Sequence, residues 1–377
     1  MREAVIISAV RTPAGRANKG AYKDTRPEDL GAAAIIGAMS KVPGLKHADV
    51  EDVILGCAMP EGTQGLNLAR TVGMLAGLPA SVPAQTVNRF CSSGLQTIAT
   101  AAERIIAGGA DLIIAGGVES MSAVPMTGHT PRPHPATVAD APGLFTPMGA
   151  TAEIVAERYA VSREAQDAFA YASHQKAAAA IDAGRFTDEI IPFGGLQVDE
   201  GPRRDTSLEA LGKLRPAFKM GGTVTPGSSS QMSDGAAAVI VASRERAEAL
   251  GAEILAVYRG FSVVGVEPDE MGVGPAYAVP ALLERAGLAL EDVDLFEINE
   301  AFASQAVYCV EKLGIDPEKV NVNGGAIALG HPLGCTGSKL TATLLHELKR
   351  RGGRYGVVTM CIGGGMGAAG LFERVDA

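Results

Sequence analysis

Short apolar runs alternate with stretches of helical spacing along the first third of the chain. Residues 4–10 form a continuous apolar run closed by Arg11, which predicts a buried first strand. Residues 27–39 then predict a helix, 52–57 a strand, 66–76 a helix and 84–88 a short strand. An Ala-rich helix is predicted over 94–107, stopped by Gly108-Gly109, and a strand over 111–115, stopped by Gly116-Gly117. Such alternation predicts a sheet covered by helices. The texture changes at 121–148, where prolines cluster and periodicity fades; a loop of that length in a compact protein is usually functional. Helical spacing returns at 151–159 and 163–183, before an irregular basic stretch through Arg203-Arg204 and 213–219. The last third resumes the first pattern, with helices predicted at 280–286, 301–313 and 337–350 and strands at 295–299 and 356–360.

The two ends of the chain resemble each other. Residues 94–117 read as helix, Gly108-Gly109, strand, Gly116-Gly117. Residues 338–364 read as helix, Gly352-Gly353, strand, Gly363-Gly364. A cysteine-containing turn precedes each helix, Cys91-Ser92-Ser93-Gly94 in one and Gly334-Cys335-Thr336-Gly337 in the other. Likeness at about half the chain length implies a duplication, two similar domains packed together. The expected division is 1–118 for the first half, 119–249 for an inserted domain of helices and loops, and 250–377 for the second half.

Composition narrows the function classes. Hydrophobic residues make up 47% of the 377 and charged residues 20%, which excludes disorder as the main state. The formal net charge of -9 argues against a general nucleic-acid binder, which must neutralise phosphates. The five cysteines, Cys57, Cys91, Cys309, Cys335 and Cys361, are scattered. They make no Cys-x-x-Cys pair and no disulfide framework, so no metal site is expected and a reducing compartment suits the chain. No apolar run approaches the ~18 residues of a membrane span. The opening run is too short for a signal peptide, and Val375-Asp376-Ala377 is not a peroxisomal tail, so a cytoplasmic location is expected.

Four segments carry candidate chemistry. In 87–94 a strand runs into a helix, so Cys91 would sit at a helix N-terminus, where partial positive charge favours thiolate. Small residues follow it, as at a nucleophile elbow. A buried structural cysteine is the alternative. His331 stands in a Gly-rich loop ahead of a helix, with Pro332 fixing the next φ, and is a base candidate or a structural histidine. In Met360-Cys361-Ile362-Gly363-Gly364-Gly365, successive glycines let N–H groups converge on an oxyanion. A dinucleotide fingerprint is a weak rival there, because that motif belongs after a first strand. Asn299 ends a predicted strand and could cap the next helix or hold a water.

Taken together, these segments resemble the thiolase family over nearly the whole chain. Asn88-Arg89-Phe90-Cys91-Ser92-Ser93-Gly94 is similar to the nucleophile block. Asn299-Glu300-Ala301-Phe302, Gly330-His331-Pro332 and Cys361-Ile362-Gly363-Gly364-Gly365 are similar to the other active-site blocks, in family order. Further likeness runs through Gly117-Val118-Glu119-Ser120-Met121-Ser122 and Ser233-Asp234-Gly235-Ala236-Ala237.

The resemblance implies an α/β fold of duplicated halves layered α-β-α-β-α, each half holding a mixed five-stranded sheet, with the loop domain inserted in the first. It implies thiolysis of 3-oxoacyl-CoA to acetyl-CoA and a shortened acyl-CoA, or the reverse Claisen condensation. By resemblance Cys91 is acylated, and His331 activates it. With a water on Asn299, His331 also stabilises the enolate. Cys361 moves the proton at the acetyl carbon, and the N–H groups of Cys91 and Gly363 form a second oxyanion hole. Ser230, Met148 and Met271 match residues near the pantetheine, and Arg203 one beside the nucleotide. CoA is then a substrate and no cofactor is implied. A homodimer or dimer of dimers is implied, and a hydratase–dehydrogenase partner for the degradative type.

The degradative type is favoured on two features. Segment 227–235 resembles its CoA block, and Pro147 stands where acetoacetyl-CoA thiolases have His; Leu144 and Phe145 could line an acyl tail. The alternatives are an acetoacetyl-CoA thiolase and a non-catalytic CoA or lipid carrier. Ketoacyl synthases share the architecture but use Cys with two His, whereas the last block here begins with Cys361.

Overall fold

The computed structural model describes residues 2–375. Its strands are β1 (Ala4–Arg11), β2 (Gly15–Arg16), β3 (Asp52–Gly56), β4 (Ala84–Val87), β5 (Leu112–Ser120), β6 (Ser233–Ser243), β7 (Ala256–Gly265), β8 (Leu295–Ile298), β9 (Tyr355–Ile362) and β10 (Met366–Glu373). They hydrogen-bond in the order β4-β3-β5-β6-β1-β7-β10-β9-β8, with β2 against β6. The link between β1 and β7 is only two residue pairs, Val5 with Val257 and Ile6 with Ala256. The order therefore divides there into two sheets.

Both sheets have one plan. In the first, β3 runs parallel to β4 and β5, and β6 is antiparallel to both β5 and β1. In the second, β8 runs parallel to β9, and β10 is antiparallel to both β9 and β7. The second sheet is one strand short of the expected five: the counterpart of β4 shrinks to a single bridge between Phe296 and Val320.

Helices complete the five layers. Pro27–Ser40 and Leu68–Leu75 cover the outer face of the first sheet, burying Leu30, Ile35 and Val72 against Val53, Leu55, Ile114 and Ile240. Pro275–Ala286 covers the outer face of the second, with Val279 and Leu282 against Phe296, Val357 and Leu371. Helices Ser93–Ile106 and Thr336–Arg351 form the middle layer and bury Leu95, Ile98, Leu344 and Leu348 between both sheets. Each of these aliphatic side chains is worth about 1.5–3 kcal/mol of burial. The two middle helices touch at glycines. A Cβ on Gly337 would lie 2.2 Å from the Leu95 nitrogen, and one on Gly94 2.6 Å from Ser338 Oγ.

The segment between β5 and β6 carries helices Pro135–Asp140, Met148–Arg158, Arg163–Asp182 and Leu208–Gly212. Strand β6, which the expected division puts inside the 119–249 insertion, is hydrogen-bonded into the first sheet between β5 and β1. Every residue of β6 is buried, so its Ala-rich run lacks the alternation of a half-exposed strand. Strands β7 and β10 were also not anticipated; the Met-Gly-Ala-Ala-Gly start of β10 is small because neighbours approach it closely, Leu95 at Gly370 and Gly274 at Gly367. From Asp376 on, the C-terminal tripeptide lies outside the described residues. Among the described residues no helix is long and apolar enough to cross a membrane, and no cluster of His, Cys, Asp and Glu could hold a metal ion.

Candidate active site

Cys91 lies in a single 3-10 turn, Phe90–Ser92, between β4 and the middle-layer helix Ser93–Ile106. The turn is strained: Phe90 has φ +44, a region side-chain-bearing residues seldom adopt. Two hydrogen bonds hold it there, from Phe90 N–H to Asn88 Oδ1 at 2.8 Å and from Ser93 Oγ to Phe90 O at 2.7 Å. Cys91 is left half-buried, while Cys57, Cys309, Cys335 and Cys361 are buried.

The N–H groups of Gly363 and of Cys91 itself bond the Cys91 sulfur and pull its pKa down, but burial outweighs them and pushes the thiol up to about 12. Burial thus works against the thiolate that a helix N-terminus favours. Helix-end charge is a surface-scale effect, and here desolvation is larger.

Gly363-Gly364-Gly365 form the turn of the β9–β10 hairpin, since Ile362 pairs with Met366 across it. Gly364 and Gly365 have φ +83 and +84, and a Cβ on Gly365 would meet Val266 O at 2.4 Å. Only glycine serves there. Cys361, two residues before Gly363, is buried; burial, and then the nearby Cys91 and Cys309, push its thiol well above the ordinary range. It shares an apolar cluster with Ala152, Ala156, Val224, Met271, Ala301 and Phe302, against which Met148 packs. A Cβ on Gly363 would touch Met148 Sδ at 3.4 Å.

His331 is buried on the loop before Thr336–Arg351. Burial, with Lys339 nearby, pushes its pKa down to about 3, so the ring rests neutral. Lys339 is itself buried and donates to the carbonyls of Leu329 and Gly330, which fixes the backbone just before the histidine. His331 Nε2 is 3.3 Å from Asn299 Nδ2, and Nδ1 is 2.5 Å from Thr336 Oγ1. Asn299 does not cap a helix: the next one begins at Ala303 with Phe302 as its cap. Asn299 is fully buried and its Oδ1 has no partner. A buried amide oxygen left bare calls for a water or a ligand atom.

A buried carboxylate ties the halves together near Cys91. Glu119, at the end of β5, accepts from Ala58 N–H at 2.7 Å, Gly334 N–H at 2.8 Å and Gln64 Nε2 at 2.8 Å. Burial raises its pKa against the pull of those donors. Sequence patterns alone assigned no role to Glu119, Thr336 or Lys339; the only signal was a polar residue in an otherwise small or apolar run.

Of the expected CoA contacts, Met148 and Met271 lie with Cys361 in the apolar cluster. Ser230 borders it, its N–H donating to Ala301 O at 2.9 Å. Arg203 stands apart: it is exposed, and its N–H donates to Nδ1 of the buried His174 at 3.1 Å.

The chain is similar to known proteins over nearly its whole length. The profile for the thiolase N-terminal domain matches residues 4–245 and that for the thiolase C-terminal domain residues 252–374. The 3-ketoacyl-CoA thiolase of Bacillus subtilis (strain 168) is 56% identical over 99% of this chain and 100% of its own. The mouse peroxisomal 3-ketoacyl-CoA thiolase B is 52% identical over 98% of this chain and 91% of its own. Human mitochondrial 3-ketoacyl-CoA thiolase superposes with TM-score 0.92 at 41% identity, covering 100% of this chain and 99% of that one. The Bacillus anthracis acetyl-CoA acetyltransferase does so with TM-score 0.90, also at 41% identity and with the same coverage. The chain belongs to the thiolase family.

Proposed function

We propose that the protein is a degradative thiolase that cleaves 3-oxoacyl-CoA with CoA, through an acyl group carried on Cys91. His331 Nε2 takes the Cys91 proton as the sulfur attacks the 3-oxo carbon. The resulting alkoxide is held by the N–H groups of Cys91 and Gly363. The C2–C3 bond then breaks, leaving the acyl group on Cys91 and an acetyl-CoA enolate. Protonated His331 and a water on Asn299 Oδ1 hold the enolate oxygen, and the Cys361 thiol protonates C2. Incoming CoA gives its proton to the Cys361 thiolate and takes the acyl group. Cys91 recovers its proton from His331.

The observation that carries this reading is that Cys361 and Cys91 lie within electrostatic reach of each other, that burial pushes both thiols up and His331 down, and that Asn299, whose buried Oδ1 has no partner, stands 3.3 Å from the His331 ring. A protonated Cys361 is what an acid at C2 requires. Separating charge between Cys91 and His331 is costly for either alone. It becomes feasible as a mutually attracting pair formed when substrate excludes water.

CoA is a substrate on this reading, and the protein needs no further cofactor. Met148, Met271, Ser230 and, at the nucleotide end, Arg203 would contact it. The segment between β5 and β6 would cover the site, and the chain would work in the cytoplasm as a homodimer or dimer of dimers. A hydratase–dehydrogenase partner fits the degradative role.

Incubation with acetyl-CoA followed by mass spectrometry should find one acetyl group, on Cys91; a label elsewhere overturns the assignment. The competing reading is an acetoacetyl-CoA enzyme, supported by the superposition on an acetyl-CoA acetyltransferase with TM-score 0.90. Leu144 favours the longer substrate, because it lies over Gly364 and is 38% exposed. Each buried CH₂ of a tail is worth about 0.8 kcal/mol. A strong preference in kcat/KM for acetoacetyl-CoA over 3-oxooctanoyl-CoA would reverse this choice.

A further inference from the structure

Thr336 is the first residue of its helix and is buried. Its hydroxyl oxygen lies 3.0 Å from Pro332 O and 2.5 Å from His331 Nδ1. A hydroxyl has one proton, and a carbonyl can only accept. With the Thr336 hydroxyl donating to Pro332 O, its oxygen turns a lone pair to the ring. Nδ1 must then carry the N–H. A neutral imidazole has only one N–H, so Nε2 is left with its lone pair free.

The other side of the ring gives the same answer. The group facing Nε2 is the amide nitrogen of Asn299, which only donates. The matching residue of the first half shows the same bonding pattern put to another use. Ser93, also the first residue of its helix, donates to Phe90 O at 2.7 Å and accepts from the backbone N–H of Arg89 at 2.9 Å.

We propose that Thr336 is a positioning residue that fixes His331 as the Nδ1–H tautomer and so keeps Nε2 free to take the Cys91 proton. The inference rests on the role of His331 proposed above. Pro332 O also accepts from the N–H groups of Cys335 and Thr336, at 2.9 and 3.0 Å, so loss of the hydroxyl leaves no bare carbonyl.

The test is Thr336→Val beside Thr336→Ser, read as acetylation of Cys91 by acetyl-CoA in a single turnover. Val should slow acetylation roughly 10²-fold, the share a positioned general base supplies. It should leave KM near wild type and lower the unfolding midpoint only modestly, since one buried ring N–H loses its acceptor, and Ser should restore the rate. A Val variant that acetylates at the wild-type rate overturns the proposal, as does a Ser variant as slow as Val. Nitrogen-15 spectra of the histidine side chains give a second readout on the unaltered protein, and they decide the matter if Val does not fold. The His331 signals, identified by their loss in His331→Asn, should show a protonated Nδ1; a protonated Nε2 overturns the proposal. If His331→Asn acetylates normally, the role of His331 itself fails, which is a different result from a silent Thr336→Val.

Discussion

The two halves of this protein share a scaffold and divide the labour. Each has a mixed sheet, a turn, and a middle-layer helix that begins with a hydroxyl residue followed by glycine, Ser93-Gly94 in one and Thr336-Gly337 in the other. In the first half the turn Phe90–Ser92 is strained at Phe90 and leaves Cys91 half-buried. In the second half the matching turn, Leu333–Cys335, is fully buried and carries no exposed sulfur. The groups that we propose as reactive there lie on either side of the helix instead, His331 just before it and Cys361 at the end of β9. Duplication thus supplies two frameworks, and the chemistry depends on where they differ. The backbone bond that Ser93 accepts is replaced at Thr336 by a contact with the His331 ring.

The largest effect should come from the residue that only the first half exposes. Cys91→Ala should abolish thiolysis and acyl labelling together, because both pass through the thioester. Cys335→Ala, in the matching turn, should keep kcat/KM within a few-fold; a large loss there would mean the second turn does chemistry too. Iodoacetamide should label Cys91 before the other cysteines because it is the most accessible. Since burial pushes the Cys91 thiol up to about 12, its labelling rate should keep rising with pH beyond 9. A plateau near pH 7 would mean a resting thiolate.

Next in size is the second half's own thiol. Cys361→Ser should still acetylate Cys91, but turnover should fall roughly 10²-fold or more, since proton transfer at C2 is what it loses. Equal loss of both steps would move Cys361 into the first step or into a structural role.

The histidine gives a pH test of the same comparison. Its pKa in the fold is about 3 against an ordinary 6.5, so the unfolded chain binds the extra proton between those values. Stability from the neutral ring is fully present above pH 6.5 and is lost as pH falls toward 3. Wild type should therefore lose stability relative to His331→Asn by about 1.4 kcal/mol per pH unit over that window. Taking the difference removes the background from buried carboxylates such as Glu119 and Glu300, whose raised values act in the opposite sense. A flat difference would mean a solvated or charged ring.

Much of this was legible in the sequence where a segment alternates or ends on glycine. The middle helices came out within a residue or so at each end, 94–107 against Ser93–Ile106 and 337–350 against Thr336–Arg351, because Gly108-Gly109 and Gly352-Gly353 mark their stops. Strand β6 was not legible, since a strand buried on both faces has no period of two to detect. Cys91 stood out at a strand-to-helix turn followed by small residues, and His331 and Cys361 as chemistry set in Gly-rich stretches. The tautomer of His331 and the protonation of Cys91 did not, because both depend on what packs around a side chain: a hydroxyl five residues away, and burial.

Between the halves, the contact at Gly94 and Gly337 sets how closely the two middle helices approach. A Cβ on Gly337 would lie 2.2 Å from the backbone nitrogen of Leu95, which cannot swing aside. Gly337→Ala should cost about 1–3 kcal/mol of overpacking, read as a lower denaturant midpoint. An unchanged midpoint would mean that the halves slide apart freely.

The smallest expected effect is also the sharpest for the comparison. Ser93→Ala removes the first half's version of the Thr336 hydroxyl. It leaves the Arg89 N–H without the acceptor that it has at 2.9 Å, beside the strained Phe90. That should cost about 1 kcal/mol, the usual net worth of such a bond. Because its partner is backbone and not a titrating ring, the loss should appear in the unfolding midpoint and as a modest drop in acetylation rate. The shape of the pH profile should not change. Thr336→Val also leaves a buried N–H, that of His331 Nδ1, without its acceptor, so its midpoint should fall by a similar amount, but it should slow the proton transfer far more. If Ser93→Ala and Thr336→Val gave the same pattern in both measurements, the two hydroxyls would be doing one structural job twice. The division of labour between the halves would then begin only at His331 and Cys361.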